Sequence, residues 1–421
     1  VTVHDAGEVA EGQHLEVDVT AVAHGGHCVG RVAGQVVFVR HALPGERVVA
    51  EVTEVRRGYL RADAVAVPVP SPDRVEPPCP WAHPGACGGC DLQHVAPAAQ
   101  LEWKAAVVRE QLTRLAGLTP AEVDALGVRV EALPGHAPRA EGASGGGTAL
   151  LGWRSRVRYA VDATGRAGLL KHRSYEVVPI DRCRIAHPAI QALPALERRW
   201  PEADAVEVVA SSGGDVGMRV DGAVVQGGEV VREKAAGRAW SLPTGAFWQV
   251  HPAAPDTLVG AVLDQLRPAP GETAWDLYGG AGLFAAALAA RVGVTGAVTL
   301  VEAAGPSVAA ARDNLADLPQ IRVVAAKVEV AMRRRLVRGP VDLVVLDPPR
   351  TGAGAQVAHA VAGSGARAVA YVACDPAALA RDVRTFAGSG WRLARLRAYD
   401  CFPMTQHVEC VALLLPRERV R

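Results

Sequence analysis

At 421 residues, 49% of them hydrophobic, the chain can fill two or three cores and is too long for one ordinary domain. A formal net charge of +1 gives no global attraction to nucleic acid, and eight cysteines in a chain of this length do not make a disulfide scaffold. No run of about eighteen apolar residues occurs, and residues 1–20 lack the basic start and apolar stretch of a signal peptide, so a cytoplasmic protein without a membrane span is expected.

Residues 1–65 hold short β-rich runs, "QVVFVR" and "RVVAEVTEV" among them, punctuated by Gly25-Gly26, Gly30, Gly34 and Pro44-Gly45. This spacing fits a five-stranded barrel of the oligonucleotide-binding kind, although any small β domain would read similarly. A Pro- and Gly-rich stretch with Cys79, Cys87 and Cys90 follows. A helix is expected from about 98 to 116, stopped by Gly117. "LPGHAPRAEGASGGGTA" reads as a surface loop, and residues 151–240 as an α+β or mostly β region. From Pro243 onward, strand-like runs ("TAWDLY", "AVTLVE", "IRVVAA", "VDLVVLD", "RAVAYVAC", "VECVALLL") alternate with Ala-rich helical runs, which predicts an α/β doubly wound parallel sheet.

The first of these strands leads into "DLYGGAGLF", a Gly-rich turn that lets backbone approach a ligand at a helix N-terminus. Asp276 at the strand end suits a ligand amine, and Glu302 closes the next strand where an acidic residue binds ribose hydroxyls. Together they suggest S-adenosylmethionine, with a nicotinamide cofactor as the alternative. Asp347, in "LDPPRTG", brings a carboxylate to the same strand edge beside a stiff turn. The Arg that follows argues against transfer to an amino nitrogen, whose enzymes often carry an aromatic residue there.

Cys374, in "YVACDPAALARD", lies between a strand and a helix that Asp375 caps and Pro376 opens. The helix dipole is expected to favour its thiolate. A lone cysteine in an α/β sheet is usually a small core residue, which is the other reading, but one at the ligand edge suits methylation of an unactivated ring carbon. Thiolate addition at uracil carbon 6 makes carbon 5 nucleophilic, and a base must afterwards remove the carbon 5 proton. Glu409, beside His407, is the candidate base; a plain surface carboxylate is the other reading.

Cys79, Cys87, Cys90 and the distant Cys183 form a four-thiolate set that suits either a cubane iron–sulfur cluster or tetrahedral zinc. Cys28, Cys401 and Cys410 read as core filler. Residues 152–187 carry eight Arg or Lys against three acids. Arg154, Arg156 and Arg158 would share one face of a strand, a candidate phosphate-binding stripe, with a solvated charged face as the alternative. "RRRLVR", residues 333–338, reads as a solvated helix face. The first 65 residues hold six Arg against nine acids, so an RNA role there cannot rest on charge.

With these motifs in hand, the chain resembles the RNA uracil-5 methyltransferase family, in the branch with a TRAM domain and an iron–sulfur cluster. "GGHCVGRVAGQVVFVRHALPGERV" looks like the TRAM barrel, and "CPWAHPGACGGCDLQH" with "DRCRIAHP" like the cluster motif. "FWQVHP", "DLYGGAGLF", "LDPPRTG", "YVACDPAALARD" and "HVECVALL" look like the catalytic series, in the family's order. The resemblance implies a class I methyltransferase (Rossmann-like) sheet over residues 241–421, an OB-like TRAM barrel over 1–66, and a central α+β iron–sulfur and RNA-binding region over 67–240. It also implies that the helix near 98–116 packs on the catalytic domain. Cys374 is then nucleophile and Glu409 the base, Gln249, Tyr278, Glu302 and Asp347 contact S-adenosylmethionine, and the four cysteines hold a [4Fe–4S] cluster.

The implied substrate is a uridine in RNA, ribosomal before transfer RNA, for a monomer with no protein partner. Gly279 stands where the family often has Cys, Leu283 where it has Asn or Thr, and Lys327 where an acidic or amide residue meets the adenine. Asp375 stands where Asn is commoner. A redox or radical iron–sulfur enzyme explains neither Cys374 nor Glu409, and a non-catalytic RNA chaperone predicts no cofactor binding.

Overall fold

The structure, a computed structural model, describes residues 9–135, 150–337 and 340–417. The loop expected over 133–149 lies mostly outside them. Strands β1 (His14–Ala23), β2 (His27–Val32), β3 (Gln35–Arg40), β4 (Arg47–Arg56) and β5 (Tyr59–Val69) close a barrel in the order β1-β2-β3-β5-β4. Alternate residues such as Val48, Ala50 and Val52 of β4 face its core. Gly30 lets β2 cross β1 closely: a Cβ there would lie 2.6 Å from the Asp18 carbonyl oxygen.

Helix α1 (Pro97–Gln111) opens on proline, runs through a π turn, and ends at Gly117 with φ 75°. It is a wedge between two cores. Trp103 and Val107 pack into the barrel, Ala105 and Val108 into the core of the C-terminal sheet. Helix α2 (Pro120–Ala125), capped by Thr119 and Glu122, leads to β6 (Val130–Ala132).

The central sheet has the order β12-β11-β10-β7-β8-β9, from β7 (Arg156–Val161), β8 (Ala167–Leu170), β9 (Val177–Pro179), β10 (Ala205–Ala210), β11 (Val216–Val220) and β12 (Ala223–Gln226), with α3 (Pro188–Gln191) between β9 and β10. The hairpin β13 (Val230–Ala235) and β14 (Arg238–Pro243) follows. Its Val231, Trp240 and Leu242 pack on α4 (Ala254–Leu266), in a core shared with the C-terminal sheet.

That sheet contains β15 (Thr273–Leu277), β16 (Ala297–Glu302), β17 (Ile321–Ala325), β18 (Leu343–Leu346), β19 (Ala368–Ala373), β20 (Trp391–Asp400) and β21 (Glu409–Pro416). Helices α5 (Leu283–Val292), α6 (Gly305–Asn314), α7 (Val328–Arg333), α8 (Gly354–Ala362) and α9 (Pro376–Gly388) connect them. The order is β17-β16-β15-β18-β19-β21-β20-β6. β15 to β19 are parallel and β21 runs antiparallel beside β19. All six expected strands are present. β20 was not expected, because a register shift between Leu393 and Arg395 breaks its alternation. "RRRLVR" is likewise not a helix face: α7 stops at Arg333, and Arg335 has φ 53°.

Between β20 and β21, residues 401–408 form no regular element and are tied to α1 instead. Lys104, fully buried, donates from Nζ to Asp400 Oδ1 (2.5 Å) and to the Phe402 carbonyl (3.1 Å). Gln100 accepts from the Met404 amide at 3.0 Å. Removing one partner of a buried pair strands the other charge. Lys104→Met is expected to cost about 3–5 kcal/mol, read as a lower denaturant midpoint of the unfolding step that includes the C-terminal sheet.

Candidate active site

The carboxyl ends of β15, β16, β18 and β19 open on one crevice. Asp276 is fully buried; its Oδ2 accepts from the Ala285 amide of α5 (2.8 Å), while its Oδ1 is buried with no partner. The chain then turns sharply through Tyr278 (φ 65°), Gly280 (φ 54°) and Gly282 (φ 100°). Glu302 caps this turn from β16, accepting from the amides of Gly280 (2.9 Å), Ala303 and Ala304 (both 2.7 Å). The Tyr278 hydroxyl donates to Glu329 at 3.4 Å. The Asp347 amide bonds the Leu277 carbonyl, which sets Asp347 beside Tyr278.

Cys374 and Glu409 meet at adjoining strand ends. Ala373 pairs with Cys410 across the antiparallel β19–β21 ladder, so the next residue on each strand is Cys374 and Glu409. Burial and the neighbouring Asp347 push the Glu409 carboxyl well above the usual range. Burial pushes the Cys374 thiol up to about 12; Glu409, Asp347 and Asp375 push the same way, and Arg350 opposes them. The expected thiolate is therefore not the resting state. The helix N-terminus is present, and Asp375 caps it by accepting from Ala378 at 2.7 Å, but burial among carboxyl groups outweighs it. His407 approaches Arg350 at 3.4 Å, and burial takes its pKa down to about 4, so its ring is neutral at pH 7.

Gln249 is half-buried between two anchored neighbours: Trp248 packs on Trp240, and the Val250 carbonyl accepts from Ser155. Leu283 is buried as the first residue of α5, and Lys327 is exposed at the N-cap of α7. Gly279 leaves little room for a larger residue: a Cβ there would lie 2.5 Å from Leu300 Cγ.

Cys79, Cys87, Cys90 and Cys183, all free thiols, line one small cavity with Trp81, Leu169 and Ile185. Among the described residues, no three His, Cys, Asp or Glu side chains draw close enough to hold a single metal ion. The loop after Cys90 reaches the catalytic segment. The amides of Asp91 and Leu92 donate to the Met404 carbonyl (3.1 and 3.0 Å), and Asp91 Oδ2 accepts from the Gln406 amide (3.2 Å).

Arg154, Arg156 and Arg158 line one further cavity with Arg219, but they differ. Arg156 is paired at 2.7 Å with the buried Glu233, whereas Arg158 is largely exposed near Glu207 (3.5 Å). Arg154 precedes β7 and lies close enough to Cys87 and Cys183 to ease their ionisation. Sequence reasoning missed Arg350, Gln100, Lys104 and Asp91. The available signals were an acid directly after Cys90 and two polar residues one helical turn apart on a buried face.

Residues 8–65 match the TRAM domain model, and residues 230–417 match the tRNA (uracil-5-)-methyltransferase model. An RNA methyltransferase of Streptomyces avermitilis is 48% identical over 436 residues, spanning 96% of this chain and 99% of the relative. The chain belongs to the RNA uracil-5 methyltransferase family. A second RNA methyltransferase, from Streptomyces coelicolor, is 49% identical over 96% of this chain and 93% of its own length. Among solved structures, the Pyrococcus abyssi tRNA (uracil-54, C5)-methyltransferase in complex with S-adenosyl-L-homocysteine superposes with a TM-score of 0.68. It is 21% identical over 95% of this chain and 100% of that chain, a likeness of fold. The class I methyltransferase fold and the OB-like TRAM barrel are thus present.

S-adenosylmethionine is the cofactor of this methyltransferase. Asp276 and Asp347, each pushed up to about 7 by burial, and Glu409 are held partly or wholly neutral while no cation is present. A sulfonium and an ammonium favour the ionised forms. A carboxyl group with a raised folded pKa holds a proton that the unfolded chain has lost. The empty enzyme should therefore lose stability as pH rises from about 4 to 7, a loss that Asp276→Asn reduces. Cofactor binding at pH 6 should release protons, and release should fade by pH 8.5. Calorimetry in two buffers of different ionisation enthalpy measures it; equal apparent enthalpies at pH 6 would contradict the coupling.

Proposed function

We propose that this enzyme methylates carbon 5 of a uridine in RNA through a covalent adduct on Cys374. The observation that carries the reading is the meeting of Cys374 and Glu409 at adjoining ends of β19 and β21, on the edge that bears Asp347. S-adenosylmethionine supplies the methyl group as an electrophile. Cys374 loses its proton to solvent and adds to carbon 6, and the ring's π electrons move onto the carbon 4 carbonyl. The resulting enolate would take the methyl group at carbon 5, with S-adenosylhomocysteine leaving with the electron pair of the broken sulfur–carbon bond. Glu409, as carboxylate, removes the carbon 5 proton; the double bond re-forms and Cys374 leaves with its electron pair. The neutral resting state makes ionisation of both groups part of substrate assembly, with Arg350 as the nearby cation that favours the Cys374 thiolate. Gln249, Tyr278, Glu302 and Asp347 are assigned to the cofactor side of the crevice.

The four cysteines are assigned to a [4Fe–4S] cluster rather than zinc. Four thiolates suit either group; what supports the cluster is the likeness of "CPWAHPGACGGCDLQH" with "DRCRIAHP" to the family's cluster motif and the gathering of all four cysteines around one cavity. With four thiolate ligands the cluster is assigned a structural role. Arg154 and Arg158 are assigned to RNA phosphate; Arg156, held by Glu233, acts through the sheet. Ribosomal RNA is the favoured substrate, from the pairing of barrel and cluster motif. Transfer RNA is the second reading, favoured by the fold neighbour that acts on it. Mapping the 5-methyluridine missing from a deletion strain separates the two.

RNA carrying 5-fluorouridine at the target should trap the wild type as a slow band on a denaturing gel, because fluorine cannot leave as a cation. Cys374→Ala should give no band and no methylation. Glu409→Gln should transfer the methyl group and then stall as adduct on ordinary RNA; normal turnover by this variant would remove Glu409 as the base.

Anaerobically purified protein should be brown and contain iron with acid-labile sulfide. Stoichiometric zinc without sulfide would overturn the cluster assignment. Loss of any one ligand should destabilise the central sheet, since metal-binding energy is folding energy.

A further inference from the structure

The β1–β2 turn of the barrel, His24–Gly25–Gly26, reaches the catalytic centre. Gly25 and Gly26 take φ 96° and 75°, which aims the turn outward. Gly26 lies against Asp91, where a Cβ would come within 2.9 Å of the Asp91 side chain. At the tip, His24 Nε2 lies 3.2 Å from Asp375 Oδ2, both side chains only partly exposed. Asp375 follows Cys374 directly, and its other oxygen, Oδ1, caps α9 through the Ala378 amide.

Each oxygen of Asp375 thus has one donor, one from its own helix and one from a different domain. The His24 bond holds Asp375 below the usual carboxylate range despite its burial, with Ala378 and Arg381 acting in the same direction. Without His24, Oδ2 would keep its negative charge unpaired beside the thiol that must ionise. An Asn at position 375 would carry no charge there and need no partner.

We propose that His24 of the TRAM barrel is a positioning residue for catalysis: by bonding Asp375 Oδ2 it fixes and shields this carboxylate, so that Cys374 can ionise. The barrel is then part of the catalytic centre as well as an RNA-facing module. The inference deepens the reading of Cys374 as nucleophile and rests on it.

Site-resolved alkylation tests the pair. Wild type, His24→Gln, Asp375→Asn and the double variant are exposed to iodoacetamide at one pH, and labelling of Cys374 is followed by mass spectrometry. The buried Cys28, Cys401 and Cys410 report the fold, because they stay unlabelled while it is intact. His24→Gln should slow Cys374 labelling about threefold to tenfold, the range a neighbouring half-exposed charge imposes. In the Asp375→Asn background the same change should have no effect. Unchanged labelling in His24→Gln, or equal slowing in both backgrounds, overturns the proposal. Should His24→Gln expose the buried cysteines, His24→Asn is the second variant, read by the same criteria. The 5-fluorouridine gel of Cys374→Ala is the separate control: an adduct there would remove Cys374 as nucleophile whatever the alkylation rates show.

Discussion

The catalytic end of this enzyme depends on how an irregular segment, residues 401–408, is held. It links β20 to β21 and delivers Glu409, yet it belongs to no strand or helix whose own ladder would pair its backbone. Buried peptide groups must find partners elsewhere. Here they come from two places, helix α1 and the loop after Cys90. Lys104 and Gln100 of α1 take the carbonyl of Phe402 and the amide of Met404; the cysteine loop takes the Met404 carbonyl; and Asp91 takes the Gln406 amide. Met404 is held at φ 67° and buried in the core of the central sheet. Strain of this kind persists only where the surroundings over-determine it.

This clamp joins the parts of the molecule. Helix α1 has one face in the barrel core and another in the C-terminal core, so its polar residues lie where barrel, cysteine loop and catalytic sheet converge. The carboxyl groups of the crevice add an electrostatic condition. Burial raises the pKa of Asp276, Asp347 and Glu409, so a cation among them would favour their ionised forms.

The parallel strands and their carboxyl-edge residues were legible in the sequence because motif and strand end coincide. Gly280 and Gly282 mark the left-handed turn, Asp347-Pro348-Pro349 a strand end, and Cys374-Asp375-Pro376 a capped helix start. β20 was hidden because its bulge breaks the two-residue period and Arg392, Arg395 and Arg397 interrupt its apolar residues. The arginines at the start of β7 read as a uniform stripe, yet Arg156 turns to Glu233, a residue 77 positions further along the chain that no local pattern could connect to it.

By itself the sequence determined the family, because its motifs are short runs at strand ends, and those spacings are local. Only the tertiary structure decided the protonation of the side chains in those runs and what holds them. The thiol of Cys374 follows from burial and from Glu409, Asp347 and Asp375 arriving from three different segments. The position of Glu409 follows from Lys104, Gln100 and Asp91, some three hundred residues earlier. Desolvation and hydrogen bonding are sums over neighbours in space, and the order of residues along the chain does not contain those neighbours until it has folded.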